Sequence, residues 1–511
     1  MKMLSESEKK WLPKWLVSEA LPPSSRDPLG LQANAERLAN QLLPGLTVFT
    51  NRVGYFFFLV WALRKLNHYE GLDTGDRLDR LNRLERALVL SESLYHGQDY
   101  LKDCNHQGQR SKGHLLTQAG KTATIPDRIL KNQDNTGCYN LYRTPMRSCG
   151  FWVDDDEAAT QGLIPFRLTH LGEKLANSFE RRDGVEPLFE WAMNGMGRKN
   201  VDTLKQWCES FCFCTFHRRS DKKLFLEGFF FAGGEASDIV EDADRRLQTL
   251  QTLAKADLIF QQDSYLSDNT GIISSEIAGA DITELDPNEI GGDSTVLLAF
   301  YSKRNLVGAE PFVAAAIYEM LGLALNAIWS DLLYYVKGHG RTPLTQWVES
   351  IAKQSSENSF WEIRVKSSIP LIDETEDQLV QDLFRGTSKA ENGLKLAIKV
   401  LSRNDNLKVL DQILRDMELY FRIKEDLFSR PDDLIKMLLP RIAQTLLGRH
   451  RKVSELKAKK LWLDLDGDNV FLVDIQEMAL GFHSYRFRQL ESLIRDIQLG
   501  EDDLANDQFG A

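Results

Sequence analysis

The sequence predicts a mainly α-helical, multi-domain protein with a winged-helix-like α+β module and a C-terminal β-hairpin followed by a helix. Apolar residues recur at helical spacing along most of the chain, and the pattern changes to short strands in two places. The length of 511 residues exceeds what one hydrophobic core usually serves, which favours several domains. Hydrophobic and charged fractions of 42% and 27% are those of a soluble globular protein.

The strongest helix signal is the segment LLPGLTVFTNRVGYFFFLVWALRKL, in which every residue from 53 to 63 is apolar or small. A helix that is apolar on all sides is buried on all sides, and this run is shorter than the roughly 20 residues that cross a bilayer. We expect Thr50 or Asn51 to cap its N-terminus, while Arg64 and Lys65 suit its C-terminus. The segment is therefore predicted to be the central core helix.

Two amphipathic helices are predicted on either side of this segment. Leu31, Ala35, Leu38 and Leu42 fall at helical spacing before it, and residues 77–94 repeat leucine at helical spacing after it. Both patterns place apolar side chains on one face, so each helix is expected to cover part of a core.

A longer apolar segment runs from Pro311 to Val336 and carries Glu319, Asn326 and Asp331. Proline is well tolerated in the first turn of a helix, and polar residues spread through the segment argue against a membrane span. The segment predicts a long helix buried inside the protein.

The order of elements between residues 125 and 182 resembles a winged-helix module. A short helix (IPDRILKNQ), a second helix ending at Gly150, the strands FWV and IPFRLT, and a helix capped by Thr169 follow one another. Such modules dock on DNA or on proteins. Eight Lys/Arg balance eight Asp/Glu in this region, and residues 154–157 between the strands are all acidic, so protein contact is the preferred interpretation.

A change of composition marks the middle of the chain. Residues 261–293 contain eight acidic and no basic side chains, which is typical of a long connection between domains. The sequence thus predicts a helical domain over 1–120, the winged-helix-like module with an aromatic helical segment over 121–234, an acidic linker over 235–295, a helical domain over 296–448, and a basic segment, β-hairpin and terminal helix over 449–511.

Further elements are predicted in the second half. STVLLAFY (294–301) and SFWEIRVKSS are expected to form strands, and helices are expected over 393–401, 407–422 and 432–447, the last opened by Asp432 or Asp433 and ended by Gly448. The alternating KLWLDLDGDNVFLVDI predicts a hairpin that turns at Asp466-Gly467. In the final helix, YRFRQLESLIRDIQL, the residues expected to face inward are Phe487, Leu490, Leu493 and Ile494.

Six cysteines are few and scattered for this length, which together with the charged opening MKMLSESEKKW predicts a cytoplasmic protein. Cys208, Cys212, Cys214 and His217 have ligand-like spacing, yet aromatic residues crowd between them and they form no CxxC pair. Free cysteine packs as a small hydrophobe. The interpretation is a set of buried thiols, and no metal or other cofactor is predicted.

A concentration of positive charge lies near the C-terminus. Residues 441–460 carry seven Lys/Arg against Glu455 alone, although the whole chain has a net charge of −11. This pattern indicates local contact with a phosphate backbone and argues against a protein that coats nucleic acid. The residues predicted to bind nucleic acid are Arg449, Arg451, Lys452, Lys457, Lys459, Lys460, Arg486 and Arg488.

Signatures of common enzymes are not found. The sequence has no GxxxxGK[ST], GxGxxG after a strand, HExxH or GxSxG. Pro431-Asp432 and Glu455-Leu456-Lys457 match a loose PD…ExK nuclease pattern, but Asp432 is expected to begin a helix and Glu455 lies in a helix-like stretch. Such nucleases hold a divalent ion between acids on adjacent strands. No catalytic residue is therefore predicted.

The segments LGLQANAERLANQLLPGLTVFTNRVGYFFFLVW and KNQDNTGCYNLY…FRLTHLGEKLANSF resemble an uncharacterised group of bacterial proteins that is often encoded in anti-phage defence islands beside ATPases, helicases or nucleases. The resemblance covers roughly residues 29–180 and implies no catalytic residues. It implies partner proteins among those ATPases, helicases or nucleases.

The leading hypothesis is a non-enzymatic scaffold or adaptor subunit of a bacterial anti-phage defence complex, which contacts other protein subunits and DNA backbone but no membrane. A metal-dependent nuclease or toxin effector is the first alternative. A transcriptional regulator built on the winged-helix-like module is the second.

Overall fold

The computed structural model describes residues 27–97, 120–127, 137–194, 197–231, 237–259, 292–355, 374–384, 389–404, 434–456, 461–473 and 483–500, with Ile413, Arg415 and Leu480 as single positions. The chain divides into two compact units. Unit 1 takes its described residues from 1–38, 269–305 and 309–483, and unit 2 from 39–268, 306–308 and 484–511.

The described part of the chain is mainly helical, as the sequence predicts. Its α-helices are α1 (Gln32–Leu42), α2 (Gly54–Asn67), α3 (Thr74–His96), α4 (Cys138–Ser148), α5 (Asp156–Thr160), α6 (His170–Glu180), α7 (Val185–Asn194), α8 (Val201–Phe211), α9 (Arg219–Phe229), α10 (Ser237–Lys255), α11 (Gly292–Ser302), α12 (Glu310–His339), α13 (Leu344–Ser355), α14 (Glu376–Phe384), α15 (Lys389–Arg403), α16 (Leu434–Leu456) and α17 (Phe487–Asp496).

Short antiparallel pairings supplement the helices. The strands are β1 (Thr122–Ala123), β2 (Trp152–Asp154), β3 (Phe166–Leu168), β4 (Lys199–Asn200), β5 (Thr342–Pro343), β6 (Leu463–Asp466) and β7 (Asn469–Leu472). They pair as β1 with β4, as β2 with β3, and as a three-stranded sheet in the order β5-β7-β6.

The predicted core helix is α2, and it forms the centre of unit 2. Every residue from 54 to 63 is buried, and α2 packs against α3, α4 and α6. The Phe56 ring packs edge-to-face against the rings of Tyr142, Phe151 and Phe225, at centroid distances of 5.3, 5.6 and 5.2 Å. Aromatic pairs at such distances add to the stabilisation that burial alone gives.

The start of α2 differs from the prediction. Its cap residue is Val53, which makes no side-chain cap hydrogen bond, and neither Thr50 nor Asn51 takes that role. The Val53 N–H instead donates to Oδ2 of Asp496, the last residue of α17, at 2.9 Å. An acceptor from a distant helix thus replaces the local cap that the sequence indicated.

The order of elements between residues 137 and 182 follows the prediction. Helix α4 ends before Gly150, β2 pairs with β3 so that Trp152 lies opposite Leu168, and Thr169 Oγ1 accepts from the Gly172 N–H at 3.1 Å to cap α6. The acidic connection is not wholly a loop, because α5 occupies its middle. Most of the first predicted helix lies outside the described residues, and the winged-helix assignment stays a prediction.

Unit 1 is built around α12, the predicted long buried helix. Its first turn contains the proline at position 311, and it packs against α11, α15 and α16. Among the described residues this helix has the length and hydropathy of a membrane span, and 94% of its most apolar window is buried inside the protein. These properties fit a core helix as well as they fit a span.

The strand predicted over 294–301 is wrong, because these residues form helix α11. Val296, Leu297, Phe300 and Tyr301 are buried, at the spacing of one helical face. The Phe300 ring stacks at 4.0 Å on a phenylalanine of α12. A short apolar run does not distinguish strand from helix by its pattern, and packing on α12 decided the outcome.

Helix α16 continues past Gly448 to Leu456, so the predicted C-terminus is wrong. Two residues beyond Gly448, the buried His450 Nδ1 contacts the Pro28 carbonyl oxygen at 3.0 Å, and its Nε2 accepts from the Trp462 N–H at 2.8 Å. These contacts hold the helix regular beyond the glycine. The predicted start at Asp432 or Asp433 lies outside the described residues.

Other predictions for the C-terminal half are confirmed. The hairpin β6–β7 turns at Gly467, whose φ is 61°, and the predicted inward-facing residues of α17 are all buried. The helix predicted over 393–401 lies within α15. The strand SFWEIRVKSS and nearly all of the helix at 407–422 fall outside the described residues.

The five-part domain division stays a prediction. Helix α10 occupies residues 237–255, so an early part of the predicted acidic linker is a regular helix. Residues 260–291 of the linker lie outside the described residues, and its last residues, 292–295, belong to helix α11.

Candidate functional site

A cluster of thiols and one imidazole lies in unit 2, where the end of α3 meets the end of α8. His96 Nε2 is 2.9 Å from Cys212 Sγ, and Cys212 Sγ is 2.7 Å from Cys214 Sγ. Cys208 Sγ, Cys212 Sγ and a carboxylate oxygen of Glu92 lie within 4.8 Å of one another. Cys212 therefore belongs to two groups of donors, one with His96 and Cys214 and the other with Cys208 and Glu92. We call His96, Cys208, Cys212 and Cys214 the thiol–imidazole cluster.

The turn that carries Cys212 and Cys214 is held by hydrogen bonds on both sides. Cys212 follows the last residue of α8 and opens a short 3₁₀ turn, Phe213–Thr215. The Phe213 N–H donates to Glu92 Oε1 at 2.8 Å, and Thr215 Oγ1 donates to the Cys212 carbonyl at 2.7 Å. The fully buried Glu92 of α3 thus fixes the turn next to His96, which lies on the same helix one turn further on.

Aromatic packing anchors the same turn in the core. Phe213 is fully buried, with its ring centroid 4.9 Å from that of Tyr55 in α2. A Cβ atom placed on Gly54 would lie 2.2 Å from the Phe213 ring. The absence of a side chain at Gly54 is therefore what lets Phe213 enter the core, and this entry positions the two neighbouring cysteines.

The four side chains differ in exposure and influence one another electrostatically. Cys208 and Cys212 are buried, His96 is half-buried and Cys214 is exposed. Hydrogen bonding to Cys214 raises the pKa of His96. Hydrogen bonding to Cys208 raises the pKa of Cys212, and hydrogen bonding to Cys212 raises the pKa of Cys214. Sulfurs this close disfavour two neighbouring thiolates, which favours the protonated thiol at Cys212 and Cys214.

The histidine that completes the cluster was missed by sequence reasoning. The sequence groups His217 with the three cysteines, but His217 Nδ1 contacts the carbonyl oxygen of Cys214 at 3.0 Å. His96 lies 116 positions before Cys212 and is marked only by its place at the end of an amphipathic helix. The three cysteines do come together. Cys214 is exposed, however, whereas the interpretation as buried thiols expected it to be buried.

A cavity of about 530 Å³, lined mostly by polar and charged side chains, lies near the same turn. Its wall includes Arg182, which donates to Asp221 Oδ2 at 2.7 Å and to Thr215 Oγ1 at 2.9 Å, while its guanidinium lies 3.9 Å from the centroid of the Phe216 ring. The buried ion pair fixes the turn from this side. The Asp221 carboxylate also balances the positive charge of Arg182 within the protein.

Three predicted nucleic-acid-binding residues lie on α16 in unit 1. Arg449 donates to the carbonyl oxygens of Leu29 and Gly30, so its guanidinium supports the fold. Arg451 is about half exposed and pairs with Asp464, and Lys452 is exposed. The lysines at 457, 459 and 460 lie outside the described residues.

Arg486 and Arg488 lie in unit 2 at the start of α17, and both are half-buried. Arg486 has the left-handed backbone conformation (φ 69°) and donates to Asn40 Oδ1. The predicted set is therefore divided between the two units. Among the described members, three lie on α16 in unit 1 and two lie at the start of α17 in unit 2.

Of the acids in the loose nuclease pattern, Glu455 falls within the described residues. Glu455 is exposed on α16, a helix, whereas the pattern needs its acid on a strand. Asp432 and Lys457 lie outside the described residues.

Comparison with protein-family models, with curated proteins and with solved structures finds no match to this chain.

Proposed function

We propose that the chain is a helical adaptor subunit of a bacterial anti-phage defence complex, which holds partner proteins and contacts DNA backbone. The supporting observation is the solvent face of α16, on which Arg441, Arg451 and Lys452 are exposed. Long cationic side chains along one helix face suit phosphates, which position a protein on DNA without reading its sequence.

The distribution of charge on the chain determines how strongly α16 binds DNA. The chain as a whole carries −11, so its overall field repels DNA and only a local concentration of cations favours contact. Arg451 already pairs with Asp464, which reduces its contribution until a phosphate displaces the carboxylate. We therefore expect weak, strongly salt-dependent binding to any duplex.

The DNA contact is tested by fluorescence anisotropy with a labelled duplex of arbitrary sequence at several salt concentrations. Replacing Arg451 and Lys452 by Gln should weaken binding and reduce the salt slope by about one per lost phosphate contact. Lys205→Gln with Lys255→Gln removes the same charge from exposed positions of unit 2 and is the matched control. Equal binding by both double variants would remove the DNA contact from the proposal.

The adaptor role is tested by co-purification with the products of neighbouring genes. A stable complex that forms without nucleotide or DNA supports it. A chain that stays monomeric in the presence of every neighbouring product contradicts it.

A winged-helix transcriptional regulator is a second candidate, and the surface of α4 favours it. Asn140, Arg143, Thr144 and Arg147 are exposed at positions that share one helix face, and α4 immediately precedes the β2–β3 hairpin as a recognition helix would. Arg143 and Arg147 both pair with Asp154, which weakens the case. Sequence-selective binding by the full chain, lost on Arg143→Gln with Arg147→Gln, would support this candidate over the adaptor.

A further inference from the structure

We propose that His96, Cys208, Cys212 and Cys214 form a Cys₃His site for one zinc ion. Cys212 Sγ lies within 4.8 Å of donor atoms of His96 and Cys214 on one side and of Cys208 on the other, and the donors come from two helices and one turn that other contacts hold in place. The inference is independent of the adaptor role, because it concerns residues of unit 2 that the DNA contact on α16 does not use.

The donors lie close enough to share one ion, although a tetrahedral zinc ion would hold them further apart than they are in this structure. Zn–S bonds of about 2.3 Å and Zn–N bonds of about 2.0–2.1 Å require neighbouring donors to lie roughly 3.5–3.8 Å apart in a tetrahedron. The separations from Cys212 Sγ are 2.9 Å to His96 Nε2 and 2.7 Å to Cys214 Sγ. Binding would therefore require rotation of these side chains that widens the separations by about 1 Å.

The donor types favour zinc over other cations. Thiolates select Zn²⁺, Cu⁺ and iron–sulfur clusters, whereas calcium and magnesium require oxygen ligands. One imidazole among three sulfurs is a common structural zinc set. Binding would release the thiol protons, and the charge of the ion would stabilise the neighbouring thiolates that otherwise repel one another.

The surroundings indicate a structural site. Four protein ligands leave no coordination position open for a substrate. The Glu92 carboxylate accepts the Phe213 N–H at 2.8 Å and so orients the ligand turn from outside the coordination sphere, as outer-shell groups do. Cys214 is exposed, which provides an entry path. The ion would join the C-terminus of α3 to the end of α8 and fix the turn that inserts Phe213 into the core.

The test uses the full-length, fully reduced protein. Zinc content is measured by elemental analysis after purification, and Co²⁺ is then titrated into protein stripped with a chelator. We expect one zinc per chain, and thiolate-to-cobalt charge-transfer bands with the intense visible absorption of tetrahedral cobalt. Removal of the metal should lower the Tm, and added Zn²⁺ should restore it, because an ion that binds only the folded state stabilises that state.

Two ligand variants and one control make the test specific. Cys214→Ser changes an exposed side chain and His96→Asn a half-buried one, so both are expected to fold. Each should weaken Co²⁺ affinity by more than the roughly 10- to 100-fold that loss of an outer-shell group costs. His170→Asn replaces an exposed histidine of α6 and should retain the wild-type spectrum and affinity.

Three results would overturn the proposal. They are a reduced wild-type protein that binds neither zinc nor cobalt, metal binding that both ligand variants retain unchanged, and a cobalt spectrum without thiolate charge-transfer bands. Each of these would leave the cysteines as ordinary or redox-active thiols.

Discussion

The Asp496 carboxylate and the Arg52 guanidinium form a buried ion pair, although the two residues are 444 positions apart. Arg52 Nε lies 3.0 Å from Asp496 Oδ2, and their side chains are 4% and 12% exposed. The same oxygen accepts the Val53 N–H at 2.9 Å. One side chain of α17 therefore neutralises the cation that precedes the core helix and also satisfies an N–H at its first turn, where negative charge is favoured.

Replacing Asp496 tests this relationship. Asp496→Ala leaves Arg52 buried without this carboxylate, and loss of one partner of such a pair costs about 3–5 kcal/mol of the free energy of unfolding. Asp496→Asn should cost less, because its amide oxygen can still accept from Val53. Urea denaturation measures both. Glu241→Ala breaks the exposed pair with Arg245 and should cost about 1 kcal/mol or less; an equal loss from Asp496→Ala would contradict our account.

Gly54→Ala should destabilise the protein although alanine is the better helix former. Intrinsic propensity favours alanine by about 1 kcal/mol, but the new Cβ would lie 2.2 Å from the Phe213 ring, and overpacking a core typically costs about 1–3 kcal/mol. We expect a net loss in thermal or urea denaturation, together with perturbed reactivity of Cys212 and Cys214.

Gly448→Ala is the matched control for that substitution. Gly448 lies within α16 and a Cβ there would meet nothing within 4 Å. Because strain is absent, we expect a gain of about 0.5–1 kcal/mol. A loss at this position would show that the helix does not continue through the glycine.

His483 should make the stability of unit 1 depend on pH. Burial lowers the pKa of His483, but the charge and hydrogen bond of Glu319, with the charges of Asp27 and Glu36, outweigh it and raise the pKa. The imidazole Nδ1 lies 3.0 Å from Glu319 Oε1. A raised pKa in the folded state means that the folded protein holds the proton more tightly than the unfolded chain does.

This contribution is complete below the ordinary histidine pKa of about 6.5 and is lost as the pH rises through the higher pKa of the folded state. The free energy of unfolding should therefore fall with rising pH above about 6.5, and His483→Gln should flatten that dependence. His170→Gln controls for the loss of an imidazole from the surface. A pH profile that His483→Gln leaves unchanged would assign the dependence to other groups.

Arg246→Lys should be far from conservative. Arg246 is fully buried, and its guanidinium donates to the carbonyl oxygens of Phe229, Pro44 and Ser148 at 2.7, 2.9 and 3.2 Å. An ammonium group cannot reproduce this planar fork, and each buried acceptor left unsatisfied costs about 1–3 kcal/mol. We expect a loss above about 2 kcal/mol in urea denaturation. Arg245→Lys, at the partly exposed neighbouring position, should have little effect, and similar losses in both variants would contradict the prediction.

Much of the helical framework could be predicted from the sequence, because its signals are local. The unbroken apolar run of α2 requires burial on every side, and the alternation around Gly467 requires a hairpin. Where a local pattern fits two structures, prediction failed, as at residues 294–301, which became helix α11 because one face of it packs on α12. Gly448 shows the converse, since contacts of His450 hold α16 beyond a residue that commonly ends helices.

The sequence by itself determined which segments are helices with buried faces and which short segment forms the C-terminal hairpin, because hydrophobic periodicity acts within a few turns of chain. Only the tertiary structure decided which distant groups meet. It brought Asp496 to the start of the core helix. It also brought His96 to the cysteines, of which Cys212 lies 116 positions further along the chain. Such partners depend on how helices pack, and no local pattern in the chain records that choice.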